Sequence, residues 1–571
     1  MITGHGGAHA IAAAREHGVE WLFTLSGAHI FPLYDAAVGG KEGVELGQAQ
    51  SPKLVDVRHE QTAVFAAEAI SKLTRQPGFA ALTAGPGVTN GVSAIAQAKY
   101  NSSSIVVIGG RAPEFRWGSG ALQELDHPAL LGPITKKAST LRTLEEIYSG
   151  VNEAFNLARS AHRGPVFVDI PMDALFSQGE VDGSAGAGGA GAGGAGENLL
   201  RLEPSEADLD NAASVLANAE RPVLVIGTDV WADFAEAQAV ELANSLGLPV
   251  MANGMGRGVL PPSNENLITL ARSAAFANAD VVVVMGAPLD FRLGYGSFGG
   301  KGGSAPAKVI HITDAASEVA GHAELAGQVS GSLAVIASEL RERVSKKLGG
   351  ASLASSKWKT WREGLRETHL AAKAKDLEDL SSAANPANPS RIYGELLPRL
   401  KDDAVVIGDG GDFVSFAGRY VEPAQPGNWL DPGPFGCLGT ACGYSMAARL
   451  ARPNAQVVTL LGDGALGFSL GDLESLTRHK LPVVMVIANN GIWALERGPM
   501  RKLYGYDVVA ELRPEIGYHQ VMQALDGAGE VVSDPNQIGP AFDRAFESDR
   551  PYLVNVITDP DVEYPRNTLG I

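Results

Sequence analysis

Cysteine is nearly absent: Cys437 and Cys442 are the two in 571 residues, close together in one Gly-rich segment. They fit neither a disulfide framework nor a zinc-ligand spacing, so a reducing cytoplasm is the expected compartment. Long apolar runs are missing too. The longest, 281–286 and 483–488, fall far short of the roughly 20 residues that span a bilayer. No membrane association is expected, and these runs read as buried parallel strands. The opening Met-Ile-Thr-Gly-His-Gly-Gly has no basic region leading into an apolar one, so a secretory signal is not expected. Positive charge is in deficit, with 46 Lys and Arg against 64 Asp and Glu and a formal net charge of −18. That disfavours nucleic acid as a partner. It leaves room for a small anion held by a few arginines or a helix N-terminus.

What is present suits a large globular protein. Hydrophobic residues make up 45% and charged residues 19%, enough for extensive cores. The length predicts about three or four domains. The stretch Gly183–Gly196 is almost pure Gly and Ala and reads as a linker. A weaker boundary lies at Leu380–Pro389, rich in turn residues, preceded by a charged, helical-looking stretch from about Ser355. The expected division is 1–180, a linker at 181–198, 199–345, a second linker at 346–390, and 391–571.

Short apolar runs alternate with longer amphipathic ones in every block. Phe79–Thr83, Ser104–Ile108 and Pro165–Ile170 are predicted strands of the first. Pro222–Ile226, Leu248–Ala252, Ala279–Met285 and Lys308–Ile312 belong to the second. Ala404–Ile407, Gln456–Leu461, Pro482–Ala488 and Tyr552–Ile557 belong to the third. Strand–helix alternation predicts an α/β protein of three doubly wound parallel-sheet domains. Ligands in such folds bind beyond the carboxyl ends of strands.

Two such ends stand out. Gln456–Leu461 runs into Gly462-Asp463-Gly464, and Pro482–Ala488 runs into Asn489-Asn490-Gly491, with Asn490 placed 27 residues after Asp463. Adjacent parallel strands would bring a carboxylate and an amide oxygen together. These are hard ligands for Mg²⁺, which commonly completes its octahedron with phosphate oxygens. A main-chain carbonyl at Ile492 could add a ligand. The amides of Gly464, Ala465 and Leu466, where a loop enters a helix, suit a diphosphate.

The pair resembles the motif of thiamine-diphosphate enzymes. The resemblance implies that Asp463, Asn490 and the Ile492 carbonyl hold Mg²⁺ on the cofactor's diphosphate, with Gly462, Gly411 and Asp412 nearby. It also implies an activating glutamate in the first block, hydrogen-bonded to the aminopyrimidine ring. Arg58-His59-Glu60-Gln61-Thr62-Ala63, opening a small-residue helix, is similar to that motif, which assigns the role to Glu60. Thr83-Ala84-Gly85-Pro86-Gly87-Val88-Thr89-Asn90 resembles the family's Thr-x-Gly-Pro-Gly-x-x-Asn loop, making Thr83, Pro86 and Asn90 cofactor neighbours. Gln123 resembles a further active-site element. In Gly436-Cys437-Leu438-Gly439, Leu438 would prop the cofactor into its bent form, a proximity device, while Gly436 holds the pyrimidine edge. The family builds its site from two subunits, so a homodimer at minimum, and commonly a homotetramer, is implied.

Within this family the chain looks most similar to the 2-hydroxyacyl-CoA lyases of actinobacterial type, relatives of the oxalyl-CoA decarboxylases and acetohydroxyacid synthases. The implied reaction cleaves a short 2-hydroxyacyl-CoA, such as 2-hydroxyisobutyryl-CoA, to acetone and formyl-CoA. An acyl-CoA would then be the partner molecule, bordered by Met255, Arg257, Arg292, Phe416, Arg419 and Arg566. Glu496, six residues after Asn490, would exchange a proton with the substrate hydroxyl or the carbanion. The tail from Tyr564 would fold over the CoA entrance. The alternatives are an acetohydroxyacid-synthase-like carboligase on 2-oxo acids, with flavin, an oxalyl-CoA decarboxylase, and a non-catalytic relative keeping the fold. His29 and His127 have no matching constellation and read as packing or surface residues.

Overall fold

The computed structural model describes residues 1–39, 52–183, 202–300 and 305–565. The expected Gly/Ala linker lies outside these from residue 184 onward, as does Arg566.

The chain forms three parallel sheets. The first domain opens with β1 (Ile2–His5), then β2 (Trp21–Thr24), β3 (Lys53–Asp56), β4 (Gly78–Leu82), β5 (Ile105–Arg111), β6 (Lys137–Thr140), β7 (Val166–Pro171) and β8 (Gln178–Val181). Its sheet runs β3-β2-β4-β5-β7-β6, with β1 and β8 paired separately and antiparallel. The middle domain has β9 (Pro222–Ile226), β10 (Val250–Ala252), β11 (Val281–Met285), β12 (Lys308–Thr313) and β13 (Gly327–Ser330), ordered β10-β9-β11-β12-β13. The third has β14 (Val405–Asp409), β15 (Trp429–Leu430), β16 (Val457–Gly462), β17 (Val484–Asn489), β18 (Ala528–Val532) and β19 (Tyr552–Ile557), ordered β15-β14-β16-β17-β19-β18.

The central strands are continuous apolar runs because helices cover both faces. In β11 all of Val-Val-Val-Val-Met is buried. Each such side chain contributes about 1.5–3 kcal/mol on leaving water. The charged stretch before the third domain is a helix, Lys359–Leu380. It docks on the middle domain through Trp361 Nε1, which donates to the Pro222 carbonyl at 2.9 Å.

One helix pair joins the first and third domains. Glu60–Thr74 packs along Ala441–Ala451, both rich in small residues. A Cβ on Gly443 would stand 2.8 Å from the Thr62 carbonyl oxygen and 2.9 Å from Phe65 Cβ. Only glycine allows so close an approach. Asp472 reinforces the joint by accepting the Thr62 hydroxyl at 2.6 Å and the Arg58 amide at 2.7 Å. Beside it Glu68, wholly buried, accepts from Gln97, Asn101 and Tyr444. Among the described residues no helix is long and apolar enough to cross a membrane.

Candidate active site

In each sheet the chain leaves the first central strand in one direction and returns on its other side, which opens a crevice at the carboxyl ends. In the third domain this switch falls between β14 and β16. β14 ends at Asp409 and is followed by Gly410-Gly411; β16 ends at Gly462, where the helix Asp463–Gly467 begins. Both loops, with the loop after β17, line a cleft of about 530 Å³.

Asp463 is 3% exposed and sits at the start of its helix. Its Oδ1 accepts the Gly464 amide at 2.9 Å and its Oδ2 the Gly491 amide at 2.8 Å. Burial pushes its carboxyl up to about 6 despite these donors, as desolvation disfavours the anion. Asn490 lies on the same cleft, its Oδ1 accepting the Ile492 amide at 3.2 Å. Carboxylate, amide oxygen and main-chain carbonyl form a hard donor set of the kind Mg²⁺ takes. Space is also provided. Gly436, at φ +72°, and Gly462 line the cleft, and a Cβ on either would meet no atom within 4 Å. These residues therefore fit a metal-bound diphosphate.

Gly411, Asp412, Leu438, Gly464, Ala465, Ile492 and Glu496 also line this cleft. Leu466 is fully buried behind it. The Leu438 loop is tied down by Asp409 at the end of β14. Its wholly buried carboxylate accepts the Gly439 amide at 3.1 Å and the Ala441 amide at 2.8 Å. Burial pushes the Asp409 carboxyl up to about 6. Glu496 lies in the first turn of the helix Ala494–Tyr504 and is exposed.

The first-domain residues form a separate cluster. Glu60 begins its helix, is 8% exposed, and its Oε2 accepts from Asn90 Nδ2 at 3.0 Å. Thr83 lies 3.3 Å from His29 Nδ1. Gln123, at φ +61°, packs on Gly85, whose Cβ would come within 3.0 Å of the Gln123 carbonyl oxygen. Pro86 and Asn90 are exposed. None of Glu60, Thr83, Pro86, Asn90 and Gln123 lines the third-domain cleft of the same chain. Among the described residues, Gln61 Nε2 reaches from beside Glu60 to the Leu438 carbonyl at 3.4 Å, and Gln97 Oε1 accepts the Cys437 amide at 3.2 Å. One chain thus carries two half-sites that do not face one cavity.

The residues expected around CoA are scattered. Arg257 and Arg292 line the cleft from the middle domain. Both are engaged: Arg257 donates to the Gly418 and Val421 carbonyls and lies over the Trp429 ring, and Arg292 is paired with Asp290 through Nε and Nη2. Met255, Phe416 and Arg419 are not on the cleft wall. Met255 and Phe416 are core residues, 2% and 3% exposed, because the apolar faces of their own elements turn inward. Arg419 makes a two-pronged ion pair with Asp376 at 2.6 and 2.9 Å. The described tail does reach the site. The Tyr564 amide donates to Asp412 Oδ2 at 3.0 Å and the Tyr564 ring meets Phe416 edge-on.

Two participants escaped the sequence reading. Arg272 donates to the Arg292 carbonyl at 2.6 Å and to Asn253 Oδ1 at 3.3 Å. Burial, with Arg257 and Arg292 close by, pushes it down to about 10. Nothing in its local sequence marks it. His127, expected to be a packing or surface residue, is fully buried, and nothing along the chain signals that both its ring nitrogens are hydrogen-bonded.

The half-sites and the folds that carry them define a class, and comparison with known proteins agrees. Three thiamine pyrophosphate enzyme models match: the N-terminal TPP binding domain over residues 5–130, the central domain over 209–340 and the C-terminal TPP binding domain over 409–556. The chain belongs to the thiamine-pyrophosphate enzyme family, and its three doubly wound sheets are that family's fold.

Among its relatives is a probable acetolactate synthase of Mycobacterium bovis, 44% identical over 99% of this chain and 98% of the relative. The acetolactate synthase large subunit IlvG of Mycobacterium tuberculosis matches to the same extent. The 2-hydroxyacyl-CoA lyase 2 of Homo sapiens is 32% identical over 93% of this chain and 86% of the relative.

Proposed function

We propose that this chain is a thiamine-diphosphate, Mg²⁺-dependent carboligase of the acetolactate-synthase kind, joining small 2-oxo acids. The carrying observation is the cleft itself. Hard oxygen donors of the third domain line one part, and the middle domain contributes Arg257 and Arg292 backed by Arg272. Such a wall favours an anionic substrate. The sequence alone ranked a CoA thioester lyase first. The 44% relatives support the opposite order, as does Arg419, which is off the cleft wall and paired with Asp376.

Thiamine diphosphate, when bound, supplies a nucleophilic carbon and an electron sink. Asp463, Asn490 and the Ile492 carbonyl would hold its metal, and the amides opening the helix Asp463–Gly467 would meet its diphosphate. Leu438 would shape the ring-to-ring bend from its loop held by Asp409. Glu60 would hold a proton at the aminopyrimidine edge. Glu496 would move a proton to or from a substrate oxygen. Because Glu60 lies off the cleft of its own chain, a second copy is required to bring the two half-sites together, which makes a homodimer the working unit.

The second reading, a 2-hydroxyacyl-CoA lyase releasing formyl-CoA, is favoured by one observation: a carboxyl group at Glu496 on the cleft wall, suited to take a hydroxyl proton. A single panel separates the two. With thiamine diphosphate and Mg²⁺, pyruvate should yield acetolactate, whereas 2-hydroxyisobutyryl-CoA should yield no formyl-CoA. The reverse pattern would transfer the assignment to the lyase. Turnover of neither would remove both.

A further inference from the structure

The loop Thr83–Asn90 owes its shape to a buried histidine outside it. Gly85 adopts φ +58° and ψ −111°, a backbone state that L side chains rarely enter. Its amide donates to His127 Nε2 at 3.0 Å. His127 is 0% exposed. Its other ring nitrogen, Nδ1, lies 3.0 Å from Asp169 Oδ2. Asp169 is likewise 0% exposed, and the same oxygen accepts Arg111 Nη1 at 3.2 Å.

The roles at each end are set by the partners. A main-chain amide can only donate, so Nε2 is the bare nitrogen. Nδ1 then carries the hydrogen and gives it to Asp169. The opposite tautomer would turn an N–H against the Gly85 N–H. Arg111 in turn offsets the charge on Asp169, while its guanidinium stacks 3.4 Å over Trp117.

The chain of contacts ties three adjacent strand ends together. Asp169 lies on β7, Arg111 ends β5, and Gly85 follows β4, in the sheet order β4-β5-β7. The held loop bears Asn90, which donates to Glu60, and Thr83, which faces His29. Gln123, four residues before His127, packs on the same Gly85.

We propose that His127, fixed by Asp169 as the Nδ1–H tautomer, is a positioning residue that holds the Thr83–Asn90 loop in its cofactor-receiving shape. The proposal rests on the reading that this loop borders thiamine diphosphate. His127, wholly buried, acts through the Gly85 amide and not by contact with cofactor or substrate.

Three measurements test it. In full-length protein labelled with ¹⁵N-histidine, long-range ¹⁵N–¹H spectra, assigned by loss of the signal in His127→Leu, should show Nδ1–H and a bare Nε2. The Nε2–H tautomer or an imidazolium at pH 7 would overturn the proposal. In cofactor-free protein, amide exchange in the peptide covering 83–91 should rise at least tenfold in His127→Leu. His127→Gln, whose side-chain carbonyl can accept the Gly85 amide, should restore protection. Equal exchange in wild type and His127→Leu would overturn it. Finally, His127→Leu should weaken thiamine-diphosphate binding or lower kcat at least tenfold, with recovery in His127→Gln. Unchanged values beside a cofactor-binding wild type would overturn it. A wild type that binds no thiamine diphosphate would instead overturn the functional reading, leaving the tautomer and exchange results to judge His127.

Discussion

The first and third domains are built to one plan and used in two ways. Their sheets share the strand order β3-β2-β4-β5-β7-β6 and β15-β14-β16-β17-β19-β18, the same permutation of six consecutive strands. Each opens its crevice where the order reverses. In the third domain the loops there are glycine-rich, flanked by the buried carboxylates of Asp409 and Asp463, and leave a cleft. In the first, the corresponding loop is filled by Gln123, His29 and His127 and presents Asn90 and Pro86 outward. A shared topology sets where a ligand binds. The side chains decide whether that place becomes a pocket or a lid for another pocket.

The sharpest break of this comparison is Glu60→Gln. It should lower kcat by about 10²- to 10⁴-fold while cofactor binding, measured by calorimetry, stays within a few-fold. A kcat within twofold of the parent would end the role of the first domain as activator. Asp463→Ala should act in the opposite half, weakening thiamine-diphosphate binding by more than about 100-fold. Removal of Mg²⁺ by chelation should mimic it reversibly. Mixing the two inactive proteins under conditions that exchange subunits should recover activity, because each mixed dimer has one intact site. Failure to recover, with exchange verified, would contradict a site shared between copies.

Glu496→Gln should cost about 10²-fold in kcat/KM with an unaltered cofactor Kd. A matching rise in Kd would move Glu496 from chemistry to binding. Gly443→Val tests the joint between the two domains. It should cost about 1–3 kcal/mol by overpacking, read as a lowered denaturation midpoint. An unchanged midpoint would mean that the helices part freely.

The smallest effect is on the border with the middle domain. His162 Nδ1 lies 2.8 Å from Asp314 Oδ1 and its Nε2 lies 2.7 Å from Ser102. Burial pulls His162 down, but Asp229 and Asp314 outweigh it and raise it to about 9. A raised histidine stabilises the fold fully below its ordinary 6.5, and that contribution is lost as pH rises through about 9. Asp229 is raised by burial to about 7; its contribution falls as pH rises but is complete by about pH 7, so the decline above that belongs to His162. The lowered Asp314 acts in the opposite sense and only in acid. Thermal midpoints should therefore decline between pH 7 and 10, and less steeply in His162→Gln. Parallel curves for the two proteins would refute the assignment.

Much of this was legible along the chain, for reasons that particular elements make plain. The predicted strands β4, β5, β7, β14, β16, β17 and β19 all lie within their sheets, where cover on both faces demands an apolar run. The edge strands β3, β6, β15 and β18 were missed, being short or partly exposed, and so was β13. Lys-Ala-Ser-Thr in β6 looks like any loop. Inner β2 was missed as well, with only four residues to announce it. Asp463 and Asn490 could be paired because their strands are neighbours in sequence and in space. Arg272 could not be joined to Arg257 and Arg292, nor His127 to Gly85, because those contacts form only after folding.

The sequence by itself determined the class of cofactor and the alternating α/β plan. Both reside in short local patterns, strand ends whose glycines and carboxylate need only their immediate neighbours. Tertiary structure alone decided that Glu60 stays off the cleft that Asp463 lines in one chain, that the middle-domain arginines are already partnered, and that the buried His127 meets the Gly85 amide. Each depends on groups far apart along the backbone, brought together or held apart only by burial of the surfaces between them.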